Sequence, residues 1–189
     1  HSVLKIGYAP IYNMPLGELF ISNERSRNQS YGAILKHFSS TAHLNDVGYG
    51  GFSDNSAKIY GKRFYRRHTL SGELDFQQNT VHYYGFDTSI YNDDRNLNRQ
   101  RYRLIDPRIS LQSHYTDSSH FNHNLQLGFY NLQNLDQETE NNIRFKAQGS
   151  LFINKEKLNI DFATDFYNHK QNTDTLNNIV VSLNPSFEA

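Results

Sequence analysis

From Leu70 the chain alternates: Leu70, Gly72, Leu74 and Phe76 are apolar or small, and Ser71, Glu73, Asp75 and Gln77 stand between them. The same period of two returns where Leu158, Ile160 and Phe162 alternate with Asn159, Asp161 and Ala163. A strand sends successive side chains to opposite faces, so each such segment has one apolar and one polar face. One strand of this kind constrains little. A whole chain of them, with almost no helical periodicity, points to an all-β protein whose two faces meet different surroundings.

Composition narrows those surroundings. Only 37% of residues are hydrophobic, which is little for an ordinary core, yet the chain carries 13 Tyr and 13 Phe, which is too aromatic for a disordered segment. A barrel with lipid outside, a polar interior and aromatic residues at the two interfaces accounts for both. Basic and acidic residues balance at 19 each, so no nucleic-acid partner is implied. Cysteine is absent, which excludes disulfides and thiolate metal sites. No apolar run approaches the ~18 residues of a spanning helix. No leader is visible in HSVLKIGYAP, so a barrel of this kind is expected to be a mature fragment with its true start upstream.

Ten strands are expected, at roughly 2–12, 17–24, 29–41, 56–66, 68–84, 101–115, 119–133, 141–153, 157–167 and 178–187. Most reach the ~9–11 residues that a tilted membrane strand needs, whereas soluble strands centre on about five or six. Tight turns are expected at Arg66–His68, Thr116–Ser119 and Asn154–Glu156, and longer polar loops at Leu44–Asn55, Gly85–Gln100, Gln133–Glu140 and Asn168–Asn177. Short turns on one rim and long loops on the other are the outer-membrane pattern. The predicted architecture is an antiparallel up-and-down transmembrane β-barrel of about ten strands, one unit over residues 1–189.

Alternation assigns the faces. Outward sets are Ile105, Pro107, Ile109 and Leu111; Leu125, Leu127 and Phe129; Ile143, Phe145, Ala147, Gly149 and Leu151; and Val181, Leu183, Pro185 and Phe187. The fourth segment is less regular, because Arg63 interrupts the face of Ile59, Gly61 and Tyr65. Pro10, Pro107 and Pro185 fall inside expected strands and remove ladder donors. Aromatic girdles are expected from Tyr83, Tyr84, Phe86, Phe129, Tyr130, Phe166 and Tyr167 at one rim, and from Tyr115 and Phe121 at the other.

The candidate functional residues are those facing inward: Glu73, Asp75, Arg108, Arg144, Lys146, Asp161 and Asp165, read as a hydrated lumen lining of mixed charge. In the run NDDRNLN, Asn92, Asp94, Asn96 and Asn98 alternate as oxygen ligands would in a calcium loop. The central Gly and terminal Glu of such a loop are missing, so a solvated external loop is the stronger reading, with sugar contact an alternative. His120 and His123 are three apart, which on a strand puts them on opposite faces, so a polar turn is favoured over a metal site. No nucleophile or metal motif of an enzyme is present, and no cofactor is implied.

A more specific signal lies between His37 and Phe86. The stretches His37 to Ser40, Phe52 to Asn55, Tyr60 to Lys62 and His82 to Phe86 together resemble the barrel region of TonB-dependent-receptor-like outer-membrane proteins of the Bacteroidota. The resemblance covers about a quarter of the chain closely. It implies a barrel of about 22 strands filled by an N-terminal plug, coupled to the inner membrane, so that this chain would be a section of a larger barrel. It carries over no ligand residues, because those lie in loops that differ between members.

The function these features lead us to expect is a non-catalytic transport or receptor barrel in the outer membrane of a Gram-negative bacterium. Its partners would be outer-membrane lipid, the rest of the barrel, a plug domain and a solute. A soluble β-sandwich or open barrel binding carbohydrate or protein is the first alternative, and an outer-membrane barrel hydrolase the second. A sandwich requires Leu125, Leu127, Ile143, Phe145, Ile160 and Phe162 to converge on a dry core.

Overall fold

The computed structural model describes residues 1–188 apart from 24–25, 42–46, 93, 97, 117–119, 154–155 and 172–173. Ten strands follow one another: β1 Ser2–Ala9, β2 Met14–Ser22, β3 Gln29–Ser40, β4 Phe52–Phe64, β5 His68–His82, β6 Arg99–Ser113, β7 Asn122–Gln133, β8 Thr139–Ile153, β9 Glu156–Gln171 and β10 Asp174–Glu188. They form one antiparallel up-and-down sheet in chain order, with β1 and β10 as its two open edges. The sheet is not closed on itself, as befits part of a barrel. A single turn of 3-10 helix, Pro10–Tyr12, is the helical element among the described residues.

The strand boundaries differ from expectation where local chemistry intervenes. Pro10 opens the 3-10 turn and so stops β1 at Ala9, and Asn13, in the left-handed region at φ 46°, turns the chain back into β2. The polar run Asn168–Asn177 is not a long loop. β9 and β10 continue through it to Gln171 and from Asp174, held by pairs such as Asn168 Nδ2 to Asn177 Oδ1 at 2.8 Å. Residues 134–138 likewise make only a short connection, closed by Asn134 and Glu138. The expected turns at Thr116–Ser119 and Asn154–Glu156 fall largely outside the described residues. The long connections that remain, 41–51 and 83–98, share one rim.

Burial is inverted relative to a soluble domain. Among the described residues no hydrophobic side chain is buried, while Ser40, Thr69, Asp106, Ser113 and Asn142 are. The chain exposes 13214 Å², against about 9,300 Å² expected of a compact protein of 22.0 kDa. Each strand packs on the strands before and after it, so the outward sets of the sequence lie exposed on one face: Leu127 is 51% exposed and Ile143 50%. They do not converge on a second sheet.

Followed across the hydrogen-bonded register, the apolar residues form an inclined band. The row Leu4–Leu19–Leu35–Ala57–Phe76–Ile105 is apolar over six strands, then becomes Asn131–Asn141–Asn168–Asn177 on the last four. Nearer the other rim, apolar residues occupy the late strands instead, as in the row Leu151–Leu158–Phe187. The drift is roughly one residue per strand, which at ~3.3 Å per residue and ~4.8 Å between strands inclines the band by roughly 30° to the hydrogen bonds. Arg63 finds its explanation here. It shares the face of Ile59 but lies four residues further along β4, at the margin the band has reached on that strand, and its guanidinium sits over the Tyr65 ring at 5.9 Å.

Candidate functional site

The opposite face carries the charges. In register, Glu73, Arg108, Gly128, Arg144 and Asp165 form one row across β5 to β9, and Lys146 and Asp161 belong to neighbouring rows of the same face. Asp75 pairs with Asp106 and with Lys58. All seven residues singled out as inward-facing therefore share this face, but only some of them touch.

Lys58, Glu73, Asp75, Asp106, Arg108 and Arg144 form a connected network. Lys58 Nζ lies 2.9 Å from Glu73 and 3.3 Å from Asp75. Arg108 reaches Glu73 at 3.0 Å, Asp75 at 2.8 Å and Asp106 at 3.5 Å, while Arg144 takes Asp106 at 2.5 Å. Two carboxylates directly opposite each other, as Asp75 and Asp106 are, repel. Arg108 sits between them and contacts both, which turns a repulsive pair into part of a balanced cluster of three cations and three anions. The Arg144 guanidinium also rests 5.3 Å from the centre of the Tyr130 ring, and the Tyr130 hydroxyl donates to Glu140.

Tyr130 and Tyr167 thus belong to the polar face and not to an aromatic girdle. Asn142 stands between them in register, fully buried, and its amide finds no hydrogen-bond partner among the described residues. Asp161 accepts from Gln148 at 3.1 Å, and Gln148 in turn accepts from Asn124 at 3.1 Å. At the far end of the sheet, Glu18 bridges Lys5 and Lys36 at 3.4 and 3.7 Å.

Among the described residues, recesses open on this face. The first, of about 380 Å³, runs from Tyr60 and Lys62 on β4 to Arg144 and Lys146 on β8, with Gly128 beneath it. The second is lined by Asn124, Gln148, Asn159 and Asp161, and the third by Glu18, Lys36, Asp54 and Gln77.

The two longer connections meet at one rim. Gly48 donates to the carbonyls of Tyr84 (3.1 Å) and Phe86 (3.3 Å), and Val47 bridges to Asp87. A Cβ at position 48 would come within 2.4 Å of the Phe86 ring, so the ring would have to move to admit a side chain there. His82 Nδ1 lies 2.6 Å from the Gly51 carbonyl, and the Arg95 guanidinium covers Tyr49 at 4.3 Å. The Ser89 hydroxyl and backbone N–H both donate to Asp87, holding its carboxyl below the usual carboxylate range. Most of the residues behind the family resemblance gather here: His37–Ser40 ends β3, Phe52–Asn55 opens β4 opposite it, and His82–Phe86 closes β5.

In the run Asn92, Asp94, Asn96 and Asn98, the Asp94 carboxylate accepts the Asn96 N–H at 2.9 Å, and Asn98 N–H reaches the Asp94 carbonyl. The carboxylate caps its own turn, as Asp does in many loops. His120 stacks on Tyr115 while His123 lies against His68 and Phe121, so the two histidines have different neighbours. No group of three or more His, Asp or Glu positioned for a metal occurs among the described residues. Sequence reasoning left out Lys58 and Lys62, although their alternation with Ile59 and Gly61 already put them on the polar face.

No protein-family model matches the chain, and no curated protein or solved structure matches it.

Proposed function

We propose that the chain is a section of an outer-membrane β-barrel of the transport or receptor type, with lipid against its apolar face and a solute path against its polar one. The observation that carries this reading is the inclined apolar band on a single sheet. Outer-membrane strands tilt by ~35–45° from the membrane normal, so a horizontal lipid belt must cross their hydrogen-bonded rows obliquely. A band inclined by roughly 30° fits that requirement, and a soluble sheet half-covered by a partner has no need of it. The balanced, partly exposed ion network suits a lumen wall, and the knitted loops at one rim suit an outer surface that first meets solutes. The resemblance to TonB-dependent receptors agrees with the open edges: β1 and β10 would pair with further strands of a larger barrel, since unpaired backbone in lipid is very costly.

The absence of natural cysteine allows a direct test. Single cysteines at Ile109, Leu127, Ile143 and Ile160, spin-labelled in liposomes, should be relaxed by oxygen dissolved in lipid. Cysteines at Ser110, Gln126 and Gln148 should be relaxed by a water-soluble nickel chelate. Apolar-face labels that are inaccessible to both reagents would place those side chains in a dry protein core and end the membrane reading.

A further inference from the structure

We infer that the recess above Gly128 is a binding station for a small oxyanionic solute, one bearing carboxylate or phosphate groups. The inference rests on the barrel reading in that it takes the polar face as the solute path.

Two adjacent rows build the recess. One is Tyr60–Glu73–Arg108–Gly128–Arg144, and the other is Lys62–Ser71–Ser110–Gln126–Lys146. In the first row the charges are already spoken for, because Lys58, Arg108 and Arg144 balance Glu73, Asp75 and Asp106 in the network. The second row adds a cation at each end and three neutral hydrogen-bonding groups between. Lys62 and Lys146 make no ion pair within 4.0 Å among the described residues. The diagonal neighbours of Lys146 on β9 are Asp161, which accepts from Gln148, and Asp165, which stands opposite Arg144. Glu73 is the one carboxylate among the described lining residues, and both Lys58 and Arg108 hold it. The recess lining therefore holds four cations, Lys62, Arg108, Arg144 and Lys146, against the single carboxylate of Glu73.

Its floor is shaped for occupation. Gly128 is buried between two arginines, and a Cβ there would meet Arg108 Cγ at 3.2 Å and Arg144 Nε at 3.5 Å. Any larger side chain would rise into the space above. The volume of about 380 Å³ falls within the roughly 300–1,000 Å³ typical of small-molecule sites. Ser71, Ser110 and Gln126 offer hydroxyl and amide donors along the row. Lys62 and Lys146 stand at the two ends of this row, about 19 Å apart at the backbone, so they set a positive field over the neutral donors between them, and the solute supplies the missing negative charge.

The test uses the full-length protein purified in detergent, titrated calorimetrically with inorganic phosphate and with citrate, and with glycerol as the neutral control. Phosphate or citrate should bind and glycerol should not. Lys62→Gln and Lys146→Gln should each weaken that binding by roughly tenfold, since each removes one of the two positive charges left unpaired over the row. Gly128→Leu should abolish it by filling the recess, while Lys5→Gln, on the same face but paired with Glu18, should leave it unchanged. Folding of each variant is checked by its strand circular dichroism. A folded protein that binds neither anion, or that binds them equally well in the two lysine variants, overturns the station and leaves the barrel reading standing. Lysine-dependent binding by a protein that proves soluble without detergent would support the station and overturn the barrel.

Discussion

At the scale of single residues, the polar face depends on groups that serve several partners. Asp106 is the clearest case, buried between Arg108 and Arg144 and directly opposite Asp75. Converting it to a neutral amide leaves Arg144 without its carboxylate and shifts the cluster to a net positive charge. Asp106→Asn is expected to cost about 1–3 kcal/mol. Lys5→Gln, at the exposed pair with Glu18, should cost ~0–1 kcal/mol. Urea unfolding from lipid vesicles measures both, and equal losses would show that the network adds no more than an ordinary surface pair. The inward parity of Asp75, Arg108 and Arg144 was readable from alternation. Their contacts were not, because those depend on which residue each strand sets opposite its neighbour.

At the scale of elements, the ten strands were legible because a period of two persists in most of them and glycine or polar clusters separate them. The loops were read less well. Asn168–Asn177 looks like a loop by composition, yet cross-strand amide pairs continue the β9–β10 ladder through it. Polarity marks where a strand leaves the apolar band, not where it stops being a strand. Pro107 shows the opposite case, a residue hostile to strands that β6 nevertheless contains. The β5–β6 ladder runs through Leu74 and Pro107, whereas the β6–β7 ladder is interrupted at Asp106 and Pro107 and resumes at Arg108 with Gly128 in the same register. A proline has no N–H to give to β7. Pro107→Val, on the apolar face, should restore a donor there and stabilise the sheet by about 1 kcal/mol. An unfolding midpoint unchanged or lowered by this substitution would mean that the interruption has another cause. Pro185 is less costly because β10 is an edge strand and pairs only with β9.

At the scale of the whole molecule, the inclined band makes a prediction that no single strand could. Ile59 and Ile179 lie in one register row, connected through Leu74 and Pro107 on one side and Ile143 and Phe166 on the other. On an untilted sheet they would sit at equal depth. On a tilted one, Ile59 falls near the middle of the band on β4, and Ile179 at its margin on β10. Ala147, four residues along β8 from Ile143, should match Ile59 in depth. Power-saturation depths of spin labels at the three positions should give Ile59 and Ala147 as deep and Ile179 as shallow. Equal depths for Ile59 and Ile179 would remove the tilt, and with it the main support for a membrane barrel.

What the sequence determined by itself is local: strands of membrane length, the parity of each, and a polar set and an apolar set along every strand. A side chain's face follows from the geometry of its own backbone, so no partner is needed to read it. Register belongs to pairs of strands and is settled only when they dock. The tertiary structure therefore decided which charges meet, that Asp75 faces Asp106 with Arg108 between them, and that Gly128 floors a recess flanked by Arg108 and Arg144. It also decided that the two-residue rhythm, shifted by about one residue at each successive strand, draws a slanted belt across the sheet.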